Sequence, residues 1–298
     1  VNLAAEEGIA ATTAAATLTF SNTTNDVQVS NTLAGGVTVS GTNAGTGAVT
    51  ITETAGNLTV GGGDITTNSG VVTLTASGAD KSITAAAGSD VVTTGGATAG
   101  AAITLKADNM SLAGAITAGT GLVTLTPNAD AQGIQVGTGA VDDAVTLGLT
   151  AVELNLITTS GGVTIGSTTN DGGITVVGAA NLTTSGTITG GTLTLRQDAG
   201  SIAVNDTLTS PIATTANTTS GNITFDPDGA VTAAGLTVTL TATGGNIEGD
   251  AAAFTNVTAS TLNATASSGI GNTNALETNV ATLSVINGAT AGAITITE

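Results

Sequence analysis

Few side chains of this chain could do chemistry: 21 Asp and Glu, 3 Lys and Arg, and no His or Cys. Without His or Cys there is no ready base for a hydroxyl nucleophile, no thiolate and no zinc set. Acids remain, paired as Glu6-Glu7, Asp142-Asp143 and Asp226-x-Asp228. A glycosidase places two acids around a sugar and commonly stacks that sugar on aromatic rings. This chain has 3 Phe and no Trp or Tyr. The phrase FDPDG from Phe225 matches the opening of a calcium loop but lacks the third Asp and the closing Glu. It is read as a turn. The expectation is a chain with no catalytic, cofactor-binding or metal-binding residue, and hence no enzyme.

The cations are as uninformative as the acids. Lys81, Lys106 and Arg196 lie far apart, and the net charge is −18. Phosphate recognition needs clustered Lys and Arg, which excludes nucleic acid and adsorption to an anionic membrane. Acidity is expected to keep a strand-rich surface soluble and self-repelling. The sharper alternative is loose capture of divalent cations between molecules. Asn-x-Ser/Thr recurs nine times, Asn22 and Asn256 among them, a weak excess over chance.

The elements that would position any of these residues follow from a period of two. In GGTLTLRQDAGSIAVNDTLTS, from Gly190, Leu193 and Leu195 alternate with Thr, a turn follows, and the pattern restarts at Ile202. The same phrase recurs as VTITETAGNLTV from Val49, VTLTASGADKSIT from Val72 and VTLTATGGNIEG from Val238. Such alternation is the inside-outside code of a strand, and Gly, Asn and Asp mark the turns. The chain is 40% hydrophobic, too apolar for disorder, and its core must be aliphatic.

Short strands repeated end to end fit either an antiparallel sandwich or a solenoid of stacked coils. Hairpin signals of the Asn-Gly type are scarce, aromatic anchors are missing, and no composition shift marks a domain boundary. The fold class is therefore all-β, a parallel β-solenoid forming an elongated rod, with residues 1–298 as one continuous segment. Roughly 20 residues per coil predict about 15 rungs and a rod on the order of 70 Å. One stretch departs from the pattern. Leu147, Leu149, Val152, Leu154, Leu156 and Ile157 crowd together, and a turn of helix or a bulky corner packed as core is expected there. No apolar run is long enough to span a membrane. The start at Val1 and the strand-like ITITE at the end suggest a piece of a longer chain. The absence of Cys leaves the compartment open.

The phrases SGVVTLTASGADKSITA and GLTVTLTATGGNIEG, and the Leu-x-x-x-Glu-Leu-x-x-Ile of Val145–Gly166, resemble shaft repeats. They are similar to the β-helical shafts of filamentous haemagglutinin-type and autotransporter-type bacterial surface proteins. The resemblance implies a right-handed parallel β-helix on the bacterial cell surface, serving as a stalk or fibre of an adhesin. The family's amino-terminal export domain is not found in this sequence.

The expected function is structural. Partners are the neighbouring rungs or copies of the same protein, with host or matrix glycans as a further contact. Insertion of this segment into a membrane is not expected. Alternatives are a filament or matrix subunit stacking end to end, a glycan-binding module, and an ice-binding face. Regular Thr arrays suit ice, whereas the spacing between these Thr phrases wanders along the sequence.

Overall fold

An aliphatic residue alternating with Thr gives a strand one apolar and one hydroxyl-bearing face. In the computed structural model the described residues are 1–93, 100–183, 187–252, 254–288 and 292–298. They form parallel sheets of nine, fifteen and six strands, wound as a β-solenoid. One antiparallel bridge, Asp143 with Thr146, occurs among the described residues.

The fifteen-strand sheet, called the long sheet here, runs through the whole molecule. Its apolar ladder passes through Ile9, Val27, Val49, Val72, Ile103, Val123, Val163 and Leu193. It continues through Thr214, Val238, Leu262 and Leu283. These are twelve rungs, not fifteen, and at ~4.8 Å each the rod is about 53 Å long. The shortfall lies in the corners. Ile9 pairs with Val27, 18 residues on, whereas Val123 pairs with Val163, 40 residues on. A mean of 20 residues per coil undercounts the long excursions.

The lumen is aliphatic. Val49, Ile51, Leu74, Leu105, Ile116 and Leu125 are fully buried, each worth about 1.5–3 kcal/mol of burial. Phe20 fills the lumen under Gly41, where a Cβ would sit 2.5 Å from its ring. Corners bring one coil's backbone onto the next. Gly36 has φ +83°, and a Cβ there would lie 2.5 Å from the carbonyl oxygen of Asn57.

Polar ladders line the lumen edges. Asn22 stacks under Asn43 and donates to its Oδ1 at 3.1 Å. Asn31 lies under Glu53 in the next rung. The Gln197 amide donates to Asn170 Oδ1. The amides of Asn22, Asn43 and Asn170 also donate to corner backbone, so most of these buried polar groups are satisfied, whereas Gln197 Oε1 has no partner among the described residues.

Near the middle, one wall of the solenoid changes strand set. The nine-strand sheet ends at Ile157–Thr159, while the six-strand sheet begins with Gly133–Val136 and Thr146–Leu149. Thr146–Leu149 pairs with Gly133–Val136 on the side away from the following coil, so the chain doubles back. Immediately after it comes α1 (Ala151–Leu154), a single helical turn opened by a capping box between Thr150 and Glu153. The expected turn of helix is present. Leu147, Leu149, Leu154 and Ile157 are core, but Val152 is 74% exposed. The helical turn rotates Val152 outward, because a period near 3.6 replaces the period of two.

Candidate functional surface

The acids are placed by the main chain. At the corners a carboxylate oxygen accepts an N–H from the coil stacked above it. Asp26 takes Ala48 N at 2.8 Å, Asp64 takes Asp90 N at 2.9 Å, and Asp90 takes Ala115 N at 2.8 Å. Buried Asp108 takes Asn128 N at 3.0 Å and Ala129 N at 2.7 Å. Such charge-assisted bonds satisfy corner donors that no strand partner reaches. Sequence reading attached acidity to solubility and missed this use. Asp or Asn at a turn one coil below another turn is the signal that could have shown it.

Two further carboxylates bridge the place where strand sets change. Asp142 Oδ1 accepts Gly148 N at 2.7 Å, and its Oδ2 accepts Met110 N at 3.2 Å. Glu153 Oε1 accepts Leu112 N at 3.0 Å, and its Oε2 accepts Thr150 N at 2.8 Å. Asn109–Leu112 thus has two of its outer N–H groups bonded by side chains. Burial raises Asp142 to about 6; hydrogen bonds from Gly148 and Met110 oppose the rise, and Glu153 and Asp143 add to it. A shifted carboxyl often marks an active site. Here both oxygens are engaged by main-chain donors, and burial accounts for the shift.

The other candidates fall the same way. Asp143 bonds Val145 N at 2.8 Å, closing its own turn. FDPDG is a turn, with Gly229 N donating to Asp226 O at 2.7 Å. Glu6 and Glu7 are exposed on a corner. Lys81, Lys106 and Arg196 lie on different coils. Among the described residues no cluster of three potential metal ligands occurs. Of the glycosylation sequons, Asn22 and Asn256 are buried in hydrogen-bonded positions, where no glycan fits.

What the fold does assemble is the outer face of the long sheet. Thr50, Thr73, Thr104, Thr124, Thr164, Thr194, Thr215 and Thr239 occupy eight consecutive rungs in register. The spacing that wanders along the sequence is absorbed by corners and vanishes in space. A second outward row, two residues on, holds Thr52, Thr75, Lys106 and Arg196. At the amino-terminal end this face carries a shallow, open depression lined by Ala10, Thr12, Gln28, Ser30, Thr50 and Thr52. It holds no acid or base.

No protein-family model, curated protein or solved structure matches this chain.

Proposed function

We propose that this chain is a shaft segment of an extracellular bacterial surface fibre of the adhesin type, and that it performs no catalysis. The observation that carries the reading is the unbroken parallel ladder of twelve rungs in the long sheet. Its backbone hydrogen bonds run along the rod axis, and its strands pair with those of the coils directly above and below. Such a body is stiff, and lengthens by adding coils without rebuilding its core. The carboxylates support the reading, since Asp142 and Asp143 bond main-chain N–H groups and Glu6 and Glu7 are exposed on a corner. The test is immunolabelling of intact source cells with antibody against the folded chain. Labelling without permeabilisation, lost after protease treatment of the surface, is expected. Labelling only after lysis overturns the reading.

The outer edge of Leu276–Asn287 is paired only at Leu276 and Glu277 among the described residues. Beyond them Leu283 is 41% and Ile286 58% exposed. Such an edge accepts another strand, whether the next coil of a longer shaft or, in a second reading, another copy stacked end to end as a filament.

A further inference from the structure

We propose that two copies of this chain pair side by side through the outward face of the long sheet, with the rods parallel. The proposal takes the shaft reading as its setting and adds the partner, a second copy.

Charge selects the face. The chain carries −18, yet no outward position of this sheet from Ile9–Thr13 to Val257–Ala266 holds Asp or Glu. Two of the three cations, Lys106 and Arg196, are on it. The reason is geometric. Carboxylates are drawn to the corners, where Asp26, Asp64 and Asp90 take N–H groups of the next coil. Strongly acidic rods can therefore approach closely on this face with carboxylates held at its margins.

Area supports the same occupant. Eleven rungs at ~4.8 Å and strands of about four to six residues at ~3.3 Å give roughly 600–950 Å² per rod. Two faces together bury about 1,200–1,900 Å², within the ~1,200–2,000 Å² of a stable protein pair. The Thr rows supply methyls to bury and hydroxyls that both donate and accept, so each can find a partner across the seam. Aligned sheets pack at ~10 Å with interdigitating side chains.

The cations choose the direction. Lys106 and Arg196 sit in the same row, each two residues beyond a ladder Thr. A two-fold axis along the strands, centred between the Thr124 and Thr164 rungs, would set Lys106 against Arg196 of the partner subunit. A two-fold axis along the rod carries that row to the opposite edge of the partner's face. The second arrangement separates the cations and makes an isologous pair of parallel rods.

The test is sedimentation velocity of the full chain across a concentration series at low and high salt. The matched variants are Thr124→Glu with Thr164→Glu on the long sheet, and Thr117→Glu with Thr158→Glu on the nine-strand sheet. Both pairs occupy the same two coils and stack one glutamate on another, so any cost to folding is shared. The expected result is a dimer that tightens with salt as residual repulsion is screened. The long-sheet variant should weaken it at least 100-fold, and the other variant less than threefold. A wild type that stays monomeric overturns the proposal and leaves the shaft reading standing. Association unaffected by the long-sheet variant, as in end-to-end stacking, also overturns it. So does a monomer whose long sheet instead shapes ice crystals or retains an insoluble polysaccharide.

Discussion

Asn31 and Glu53 meet across one rung inside the solenoid, the Asn31 side-chain amide donating to Glu53 Oε2 at 2.5 Å. Both residues are fully buried. Glu53 Oε1 accepts Ala55 N at 2.9 Å and Gly56 N at 3.0 Å, while Asn31 Oδ1 takes Thr13 Oγ1 at 2.6 Å and Ala15 N at 2.8 Å. One amide and one carboxyl thereby link three successive coils, with Thr13 and Ala15 on the first, Asn31 on the second and Glu53 on the third. Glu53→Ala strands three donors, and an unsatisfied buried donor costs about 1–3 kcal/mol. The expected loss is about 3 kcal/mol or more, read from the urea midpoint. Glu53→Gln keeps one acceptor and should lose less. Equal losses for the two variants would contradict this account of the site.

Asp142 predicts a pH dependence with a definite sign. Burial raises its carboxyl from the ordinary value near 3.8 to about 6. Between those values the folded chain holds a proton that the unfolded chain has released. Stability from this group is full below about pH 4 and is lost as pH rises through about 6. Melting temperatures of the wild type and Asp142→Asn, taken at pH 4.5 and 7.5, isolate the effect. The wild type should lose more on going to pH 7.5 than the variant does. A variant with the same or a larger loss would remove Asp142 as the source.

The helical turn separates two neighbours that look alike in sequence. Leu154 is buried in the core and Val152 is exposed. Leu154→Ala should cost about 2–5 kcal/mol, whereas Val152→Ala should stay within about 0.5 kcal/mol. Chemical denaturation of both variants tests the pair. A large cost at Val152 would mean that the turn faces the other way.

Gly35 and Gly36 offer the same kind of contrast in backbone. A Cβ at Gly35 meets nothing within 4 Å, but at Gly36 it lies 2.5 Å from Asn57 O at a φ of +83°. Gly36→Ala should destabilise by more than about 1 kcal/mol, and Gly35→Ala should be near neutral or slightly stabilising. Thermal melts of the two variants decide it.

Much of the fold is legible from alternation. Val123-Thr124-Leu125-Thr126 reads as inward-outward from sequence, and Val123 and Leu125 are core. Coil length is not legible, because successive ladder positions lie 18 or 40 residues apart without disturbing the ladder. The interior Asn residues read as turn residues, since a polar side chain at a strand end carries no mark of its partner one coil away. Val152 belongs to the apolar cluster expected as core, and Thr-x-x-Glu from Thr150 is the local sign that a helical turn carries it outward. Thr50 and Thr239 belong to one face only because seven intervening registers align, which no local pattern states.

The most direct test of the central claim is cryo-electron microscopy of the protein as isolated from its source. The account predicts rods with a ~4.8 Å axial rung spacing, in which the twelve rungs of this chain form part of a continuous surface shaft. Compact particles without that spacing, or rods found only inside the cell, would contradict it.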